Sequence, residues 1–211
     1  MASDHRHEEL RRTLKLDRYK ALLFDCDGTI ADSMDAHLQA WNIALKKQGG
    51  YITAEENQKF AGQPTQKIVD QLNKLRGTQI DGDRVAHEKE EAFLTLIDQI
   101  EAIADVAEIV AAFHGMVPMA VVSGGGRRAV LRTLEQLKMK EILPVVIGAE
   151  DYEHGKPAPD CFLMAAKALG VQAADCLVFE DAELGIQGAK AAGMGYILVT
   201  RAGLDLTKSA Y

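Results

Sequence analysis

Five short apolar runs constrain the fold of this chain more than any other feature. They are "KALLFDCD", "VPMAVVSGG", "LPVVIGAE", "DCLVFED" and "GYILVT". Continuous apolar runs of strand length are typical of strands buried on both faces, as in parallel sheets. Amphipathic helical segments such as "RRAVLRTLEQLK" and "PDCFLMAAKALG" separate the later runs. The pattern predicts an α/β fold, an open doubly wound parallel sheet with a Rossmann-like core.

About ninety residues without a convincing strand separate the first two runs. This interval contains helical patterns, among them "MDAHLQAWNIALKKQGG", "PTQKIVDQLNKLRG" and "RVAHEKEEAFLTLIDQIEAI". We therefore predict a helical cap over residues 34–102, inserted into a catalytic core of residues 17–33 and 103–211 that follows an N-terminal tail of residues 1–16. Ligands of open α/β sheets bind outside the carboxyl ends of the strands, so an insertion at this place would act as a lid.

Composition excludes several classes of partner. The net charge of −7 argues against nucleic acid, and no apolar run approaches the roughly 20 residues of a membrane span. The polar N-terminus does not resemble a secretory signal, and three scattered cysteines do not form a disulfide framework, which indicates a cytoplasmic protein.

His5 and His7 have chelating spacing, but no further ligand cluster lies near them in the sequence. The sequence does not determine the oligomeric state, and a monomer is compatible with it.

Polar groups follow four of the predicted strands at their carboxyl ends. They are the side chains of Asp25, Asp27, Ser123, Lys156, Glu180 and Asp181 and the backbone amide of Gly124. Each one alone would be explained as a turn, a cap or a solvated residue. Together at one edge of the sheet, the carboxylates would repel one another and raise one another's pKa. A divalent cation relieves that repulsion, and these hard oxygen ligands suit Mg²⁺ sharing its coordination with a phosphate.

The two aspartates of the first run have different chemical uses. A carboxylate with a pKa near 4 is ionised at neutral pH, so Asp25 could attack phosphorus without a general base. Asp27 lies close enough to protonate the leaving alkoxide and then to deprotonate water. Mg²⁺ and Lys156 would neutralise charge. Ser123 and the Gly124 amide would bind the phosphoryl oxygens, helped by the N-terminus of the next helix.

The segments "DCDGT", "VVSGG", "GKPAPDCF" and "VFEDAELGIQGAKAAGM" resemble the four motifs of the haloacid dehalogenase-like hydrolases, over about residues 20–200. The resemblance implies a Mg²⁺-dependent phosphatase of a small phosphorylated metabolite, with an aspartyl-phosphate at Asp25 and acid/base catalysis by Asp27. It also implies that Asp25, the Asp27 carbonyl and Asp181 bind Mg²⁺. Glu180 would be a further ligand or a partner of the ligands.

The predicted cap resembles that of the subgroup containing β-phosphoglucomutase and sugar-phosphate phosphatases, including those acting on fructose 1-phosphate. The mutase has Ser-Lys-Asn where this chain has "SGGGRR", and Thr65 falls where the mutase cap has an arginine. These differences favour a phosphatase, but a mutase stays possible because Arg127 could bind a second phosphate. His37, Gln63 and Thr65 are candidate substrate contacts from the cap, and His37 has an equally good structural explanation.

Three other hypotheses explain less of the sequence. "GGGRRA", with Glu150 about twenty residues on, formally matches a dinucleotide fingerprint but leaves the acids and Lys156 unexplained. A non-enzymatic phospho-aspartate switch also combines acids, a hydroxyl and a lysine, but such modules lack a long helical insertion. A cysteine phosphatase built on Cys26 would need an arginine where this chain has Asp32.

Overall fold

One mixed sheet of six strands organises the protein. The computed structural model describes residues 12–14 and 18–211. The strands are β1 (Ala21–Phe24), β2 (Met119–Val122), β3 (Val145–Ile147), β4 (Cys176–Glu180), β5 (Gly195–Thr200) and β6 (Gly203–Ala210), in the spatial order β3-β2-β1-β4-β5-β6. The first five are parallel and β6 is antiparallel to β5. The five predicted strands and the doubly wound α/β fold are confirmed.

Eight helices accompany the sheet in the described part of the chain. They are α1 (Met34–Lys46), α2 (Ala54–Lys59), α3 (Thr65–Arg76), α4 (Gly82–Leu94), α5 (Ala104–Phe113), α6 (Arg127–Gln136), α7 (Asp160–Leu169) and α8 (Glu183–Ala191). The first four form the insertion between β1 and β2, and the last four connect strands of the sheet. None of the helices in the described ranges is long and apolar enough to cross a membrane.

Burial on both faces explains why the strands read as continuous apolar runs. Leu22 and Phe24 point to the face covered by α5 and α6, whereas Ala21 and Leu23 point to the face covered by α7 and α8. The Phe24 ring stacks on that of Phe179 in β4, with 4.8 Å between the ring centroids. β1 is therefore a central strand, and its carboxyl end lies between those of β2 and β4.

The insertion has a hydrophobic cluster of its own. Trp41 and Leu45 of α1 pack there with Val69 and Leu72 of α3 and Val85 of α4.

The residue limits of the tail, cap and core stay a prediction. Residues 1–11 and 15–17 lie outside the described residues, and with them most of the predicted tail and the His5–His7 pair.

The segments that enter and leave the insertion run side by side. Asp32 N donates to Glu101 O, and Ile103 N donates to Ile30 O, both at 2.9 Å. Ala31 also forms an antiparallel bridge with Ala102. The insertion is therefore attached through one narrow double connection beside the end of β1.

Strand β6 is the element that sequence reasoning missed. It pairs with β5 across a short connection, with Thr200 opposite Gly203. The signal was the alternation in "GLDLT", where Leu204 and Leu206 pack against the main core and the polar Asp205 lies between them. An alternating strand at a sheet edge is less apolar than a central strand, which is why the search for continuous apolar runs passed over it.

Candidate active site

The carboxyl ends of four elements meet below the insertion at one cavity of about 480 Å³. Its wall includes nearly all of the site residues predicted from the sequence. These are Asp25, Asp27, Ser123, Gly124, Lys156, Glu180 and Asp181 from the sheet side and His37, Gln63 and Thr65 from the insertion. Asp25, Ser123, Lys156 and Glu180 are buried, the first at 6% exposure. The convergence expected from the parallel sheet is present, while the roles of the individual residues stay predictions.

Lys156 is the centre of a buried charge network. Its ammonium group donates to Asp25 Oδ1 at 2.6 Å, to Glu180 Oε2 at 2.7 Å and to the Val122 carbonyl at 3.1 Å. Burial alone would lower the pKa of Lys156, but the charges of Asp25 and Glu180 hold this pKa well above its ordinary value. Lys156 is therefore a permanent cation, and all three of its protons already have acceptors.

One ammonium group does not neutralise the three carboxyl groups around it. Burial, followed by the charge of Glu180, raises the pKa of Asp25 well above its ordinary value, and the same two causes raise the pKa of Asp181 to about 7. The mutual raising of pKa expected for clustered carboxylates is therefore present, and burial, which the sequence did not show, adds to it. Without metal, Asp25 does not have the ordinary carboxyl pKa from which its ionisation was argued.

The same three residues fit a divalent cation. Asp25, Glu180 and Asp181 each offer a carboxylate oxygen, and these oxygens lie within 4.8 Å of one another. Hard oxygen donors with uncompensated negative charge suit Mg²⁺. Both oxygens of Glu180 already accept hydrogen bonds, one from Lys156 and the other from the Ala182 amide at 3.1 Å. Asp25 and Asp181 are thus the freer donors, and Glu180 better fits the part of a partner that positions them.

Gly28 makes room for the Asp181 carboxylate. Its φ is +89°, and a Cβ at this position would meet Asp181 Oδ2 at 2.3 Å. Next to it, the Thr29 hydroxyl donates to Asp181 Oδ1 at 3.2 Å. The glycine of "DCDGT" is therefore required by the close approach of β1 and β4 at their ends.

Asp27 is held from the side of the insertion. The Ser33 hydroxyl donates to Asp27 Oδ1 at 2.7 Å, and His37 Nε2 lies 2.9 Å from the same oxygen. Burial would raise the pKa of Asp27, but His37, the Ser33 hydrogen bond and the Lys89 charge lower it to about 2. Asp27 is therefore ionised at neutral pH, whereas its neighbour Asp25 is biased toward the protonated form.

The His37 ring is fixed in place by an aromatic neighbour. It stacks on Phe93 with 4.1 Å between ring centroids and 3° between the planes. Burial lowers the pKa of His37, so the ring is neutral and Nε2–H donates to Asp27. Nδ1 is buried without a hydrogen-bond partner among the described residues. The sequence offered a substrate contact or a structural role for His37; the structure shows a contact with Asp27 and stacking on Phe93, and the substrate contact stays a prediction.

Replacing His37 by Phe should raise the pKa of Asp27 from about 2 by one to two units. Phe keeps the stacking on Phe93 but removes the hydrogen-bond donor. Because the native pKa lies below the ordinary one, Asp27 stabilises the fold above about pH 4, and this contribution disappears as the pH falls toward 2. Carboxyl ¹³C NMR titration measures the shift, with His114→Phe on the exposed surface as control. An unchanged Asp27 pKa would show that His37 does not hold this carboxylate.

Lys89 is a site residue that sequence reasoning missed. It lies on α4, lines the cavity, and has its ammonium group 5.2 Å from the centroid of the Trp41 ring. Burial lowers the pKa of Lys89, while the charge of Asp27 opposes that effect. Nothing in "RVAHEKEEAF" distinguishes this lysine from an ordinary surface charge, because only the packing of α4 over the sheet edge brings it near Asp27.

Arg127 is not among the described residues that line the cavity. Its guanidinium pairs with Asp151, and its backbone N–H donates to the Glu150 carboxylate, with distances of 3.0 and 3.2 Å to the two oxygens. We expected the N-terminus of α6 to help bind the phosphoryl group, but the Glu150 carboxylate already accepts from its first amide.

Of the candidates in the insertion, Gln63 accepts a hydrogen bond from Gln71 at 2.8 Å, and Thr65 is the first residue of α3.

The geometry also bears on two alternative hypotheses. Glu150 occupies the helix N-terminus at which a dinucleotide fingerprint would place a pyrophosphate. Cys26 is fully buried, and burial together with the charges of Asp27 and Asp25 raises the pKa of its thiol well above the ordinary value. A thiol in this environment is not a nucleophile at neutral pH.

Comparison with known proteins places the chain in a family. The family model described as haloacid dehalogenase-like hydrolase matches residues 22–199. The chain belongs to this family. The matched range contains all four strand ends that meet at the cavity, so the haloacid dehalogenase-like match and the site describe the same part of the molecule.

Relatives within the haloacid dehalogenase-like hydrolases carry phosphatase and mutase names. Fructose-1-phosphate phosphatase YqaB of Escherichia coli (strain K12) is 37% identical over 179 residues, covering 84% of this chain and 95% of the relative. β-Phosphoglucomutase of Bacillus subtilis (strain 168) is 26% identical over 183 residues, covering 83% and 80%. The crystal structure of a hydrolase from Pseudomonas syringae superposes with a TM-score of 0.79 at 24% identity, covering 89% of this chain and 88% of that one.

Proposed function

We propose that this protein is a Mg²⁺-dependent phosphatase of small phosphorylated metabolites, sugar phosphates in particular, that works through an aspartyl-phosphate at Asp25. One observation carries the proposal. The Asp25 carboxylate lies between the Lys156 ammonium group and the Asp181 carboxylate, at the wall of a cavity that Asp27 also lines. This arrangement combines a nucleophile, a fixed cation, donors for a divalent metal and a separate acid/base group.

In the first step, Asp25 attacks the phosphorus atom. Lys156 holds Oδ1, which leaves Oδ2 as the attacking oxygen. The new bond joins Oδ2 to phosphorus while the bond from phosphorus to the ester oxygen breaks. A bound Mg²⁺, held by Asp25 and Asp181, would supply the positive charge that keeps Asp25 ionised and offsets that of the phosphoryl group.

The leaving alkoxide takes its proton from Asp27. In the free protein this residue has a pKa of about 2, so it must first gain a proton. The negative charge of an approaching phosphoryl group raises a nearby carboxyl pKa and favours that uptake. Ser123 accepts from the Gly125 amide at 3.0 Å, which directs its hydroxyl proton away from that amide and leaves it free for a phosphoryl oxygen.

In the second step, water replaces Asp25 on phosphorus. Asp27 is now ionised and removes a proton from the attacking water, while the bond from phosphorus to Asp25 Oδ2 breaks and inorganic phosphate forms. Ser33 and His37 keep the Asp27 carboxylate in one orientation through both steps. Lys156 stabilises Asp25 as the leaving carboxylate.

Hydrolysis is favoured over the mutase alternative by the surroundings of Arg127. A mutase must hold a second phosphate while the first is transferred, which calls for cations on the far side of the cavity. The guanidinium of Arg127 is paired with Asp151, and Thr65 offers a hydroxyl in place of a cationic side chain.

A cytoplasmic location accords with three free, buried cysteines. A monomer stays a prediction.

A substrate screen with Mg²⁺ tests the proposed function. We expect phosphate release from hexose monophosphates such as fructose 1-phosphate, and no conversion of β-glucose 1-phosphate into an isomer. Both products are measured in the same reactions, by a phosphate assay and by chromatography. Isomer formation without phosphate release would favour the mutase, and stable phosphorylation without turnover would favour the switch.

Chelation of the metal should abolish turnover, and added Mg²⁺ should raise the melting temperature of the metal-free protein. At a hundredfold excess over Kd the expected stabilisation is about 2.7 kcal/mol. Because the pKa of Asp181 is about 7 without metal, the shift should be larger at pH 8 than at pH 5.5. Asp181→Asn should remove most of it, whereas Asp70→Asn on the exposed face of α3 should not. Full activity in excess chelator would contradict the metal site.

A further inference from the structure

The cavity wall is strongly acidic away from Asp25. Two carboxylates from the loop after β3, Glu150 and Glu153, and one from α4, Glu90, line it in addition to the four acids of the proposed reaction centre. The ammonium groups in the described part of this wall are those of Lys89 and Lys156. Lys156 is engaged with Asp25 and Glu180, and Lys89 lies over Trp41 near Asp27. A second negative group of a substrate would therefore meet the carboxylates of Glu90, Glu150 and Glu153 on this wall, with Lys89 as the cation on the side of the insertion.

Glu150 is built into the wall at the place where an anion would otherwise bind. The loop 124–126 leads into α6, and the first amides of a ten-residue helix are favourable partners for phosphate. In this chain Arg127 N–H donates to both oxygens of Glu150. Gly148 leaves room for that carboxylate, because a Cβ there would meet Glu150 Oε2 at 3.0 Å.

The arginine beside this position is also withheld from the cavity. Asp151 pairs with the Arg127 guanidinium and accepts a second hydrogen bond from the Gly148 amide at 2.7 Å. Glu150 thus accepts from the backbone N–H of Arg127, and the next residue, Asp151, pairs with the Arg127 guanidinium. From the insertion, the cavity is lined by the ammonium group of Lys89 and by the neutral amides of Asn57, Gln63 and Gln66.

We propose that Glu150 is a specificity residue that excludes substrates with a second phosphate, so that the enzyme selects monophosphates whose remaining body is neutral and rich in hydroxyl groups. The proposal rests on the proposed phosphatase function. In this proposal the Glu150 carboxylate repels a substrate that carries a second phosphate. The amides of the insertion accept hydrogen bonds from, and donate them to, the hydroxyl groups of the substrate.

The test compares each sugar monophosphate with its bisphosphate. For wild type and Glu150→Gln, kcat/KM is measured with fructose 1-phosphate and fructose 1,6-bisphosphate, and with glucose 1-phosphate and glucose 1,6-bisphosphate. Gln keeps the size and an acceptor for the Arg127 amide but removes the charge. We expect the ratio of kcat/KM for bisphosphate to that for monophosphate to rise about tenfold in the variant. Glu141→Gln, an equal charge change at an exposed position outside the cavity wall, should leave the ratio unchanged.

Ionic strength gives a second measurement that needs no variant. Glu150 is exposed at the wall, so salt should screen its repulsion. The wild-type ratio should therefore rise with salt more steeply than the Glu150→Gln ratio, in which only Glu90 and Glu153 still repel the second phosphate. Equal use of monophosphates and bisphosphates by the wild type, or the same shift in Glu141→Gln, would overturn the role of Glu150 and leave the phosphatase intact. Absence of phosphate release from every ester would overturn the proposed function and this inference with it.

Discussion

Replacing Asp25 by Asn is expected to lower phosphate release by about four orders of magnitude or more while the fold is retained. The amide oxygen still accepts a hydrogen bond from Lys156, so the side chain keeps its place at the end of β1. An amide is not a nucleophile toward phosphorus, however, and no second carboxylate is positioned to take over. Asp27 accepts hydrogen bonds from Ser33 and His37, and the proposed function assigns it the proton transfers.

Three measurements make the Asp25 result specific. Circular dichroism and thermal melting establish that the variant is folded, and Asp175→Asn, at a surface pair with Lys20, is the matched control. A rapid-quench experiment with wild type should show a burst of leaving-group alcohol. Hydroxylamine should attack the acyl carbon of the intermediate, release phosphate and leave a hydroxamate in a peptide containing Asp25. Turnover close to wild type in Asp25→Asn, or a hydroxamate on another residue, would refute the assignment of the nucleophile.

Lys156→Met should produce the largest loss of stability of any single substitution in the site. Removal of one partner from a buried ion pair leaves uncompensated charge, which typically costs about 3–5 kcal/mol. Here two carboxylates, Asp25 and Glu180, lose their shared cation at once. Turnover should fall by at least about a hundredfold as well, because the fixed positive charge beside the attacking oxygen is lost.

The pH dependence identifies the cause of the Lys156→Met effect. The native pKa of Lys156 is raised, so its contribution to stability is complete below about pH 10 and is lost only as the pH rises through that higher value. In the variant, the acids left behind can be neutralised by protons, so the destabilisation should be smaller at pH 5 than at pH 8. Urea unfolding at both pH values measures this, with the exposed Lys167→Met on α7 as control. A variant within about 1 kcal/mol of wild type at pH 8 would contradict the network.

Much of the site was predictable because parallel strands bring distant residues to one edge. Asp25, Ser123, Lys156 and Asp181 are spread over more than 150 residues of chain, yet each follows a recognisable apolar run. The strands themselves were visible because burial on both faces leaves no polar interruption. β6 escaped because an edge strand alternates and carries a weaker signal.

The remaining features of the site depend on packing between elements that has no local signature. Lys89 is one of several charges on α4 and is distinguished only by its position over Trp41 and near Asp27. Arg127 was a candidate for phosphate binding because the sequence does not show that Asp151 pairs with it. The raised pKa of Asp25 follows from how deeply it is buried and from Glu180, which lies more than 150 residues away in the chain.

The double connection at Ile30–Asp32 and Glu101–Ile103 has an evolutionary consequence. Since the chain leaves the sheet layer and returns to it at one point, the intervening segment can be shortened, lengthened or exchanged without altering the order of the strands. Asp25, Lys156 and Asp181 all lie outside that segment, whereas Gln63 and Thr65 lie within it. Under the proposed function, changes in the inserted segment can therefore alter which substrates are admitted while Asp25, Lys156 and Asp181 stay unchanged.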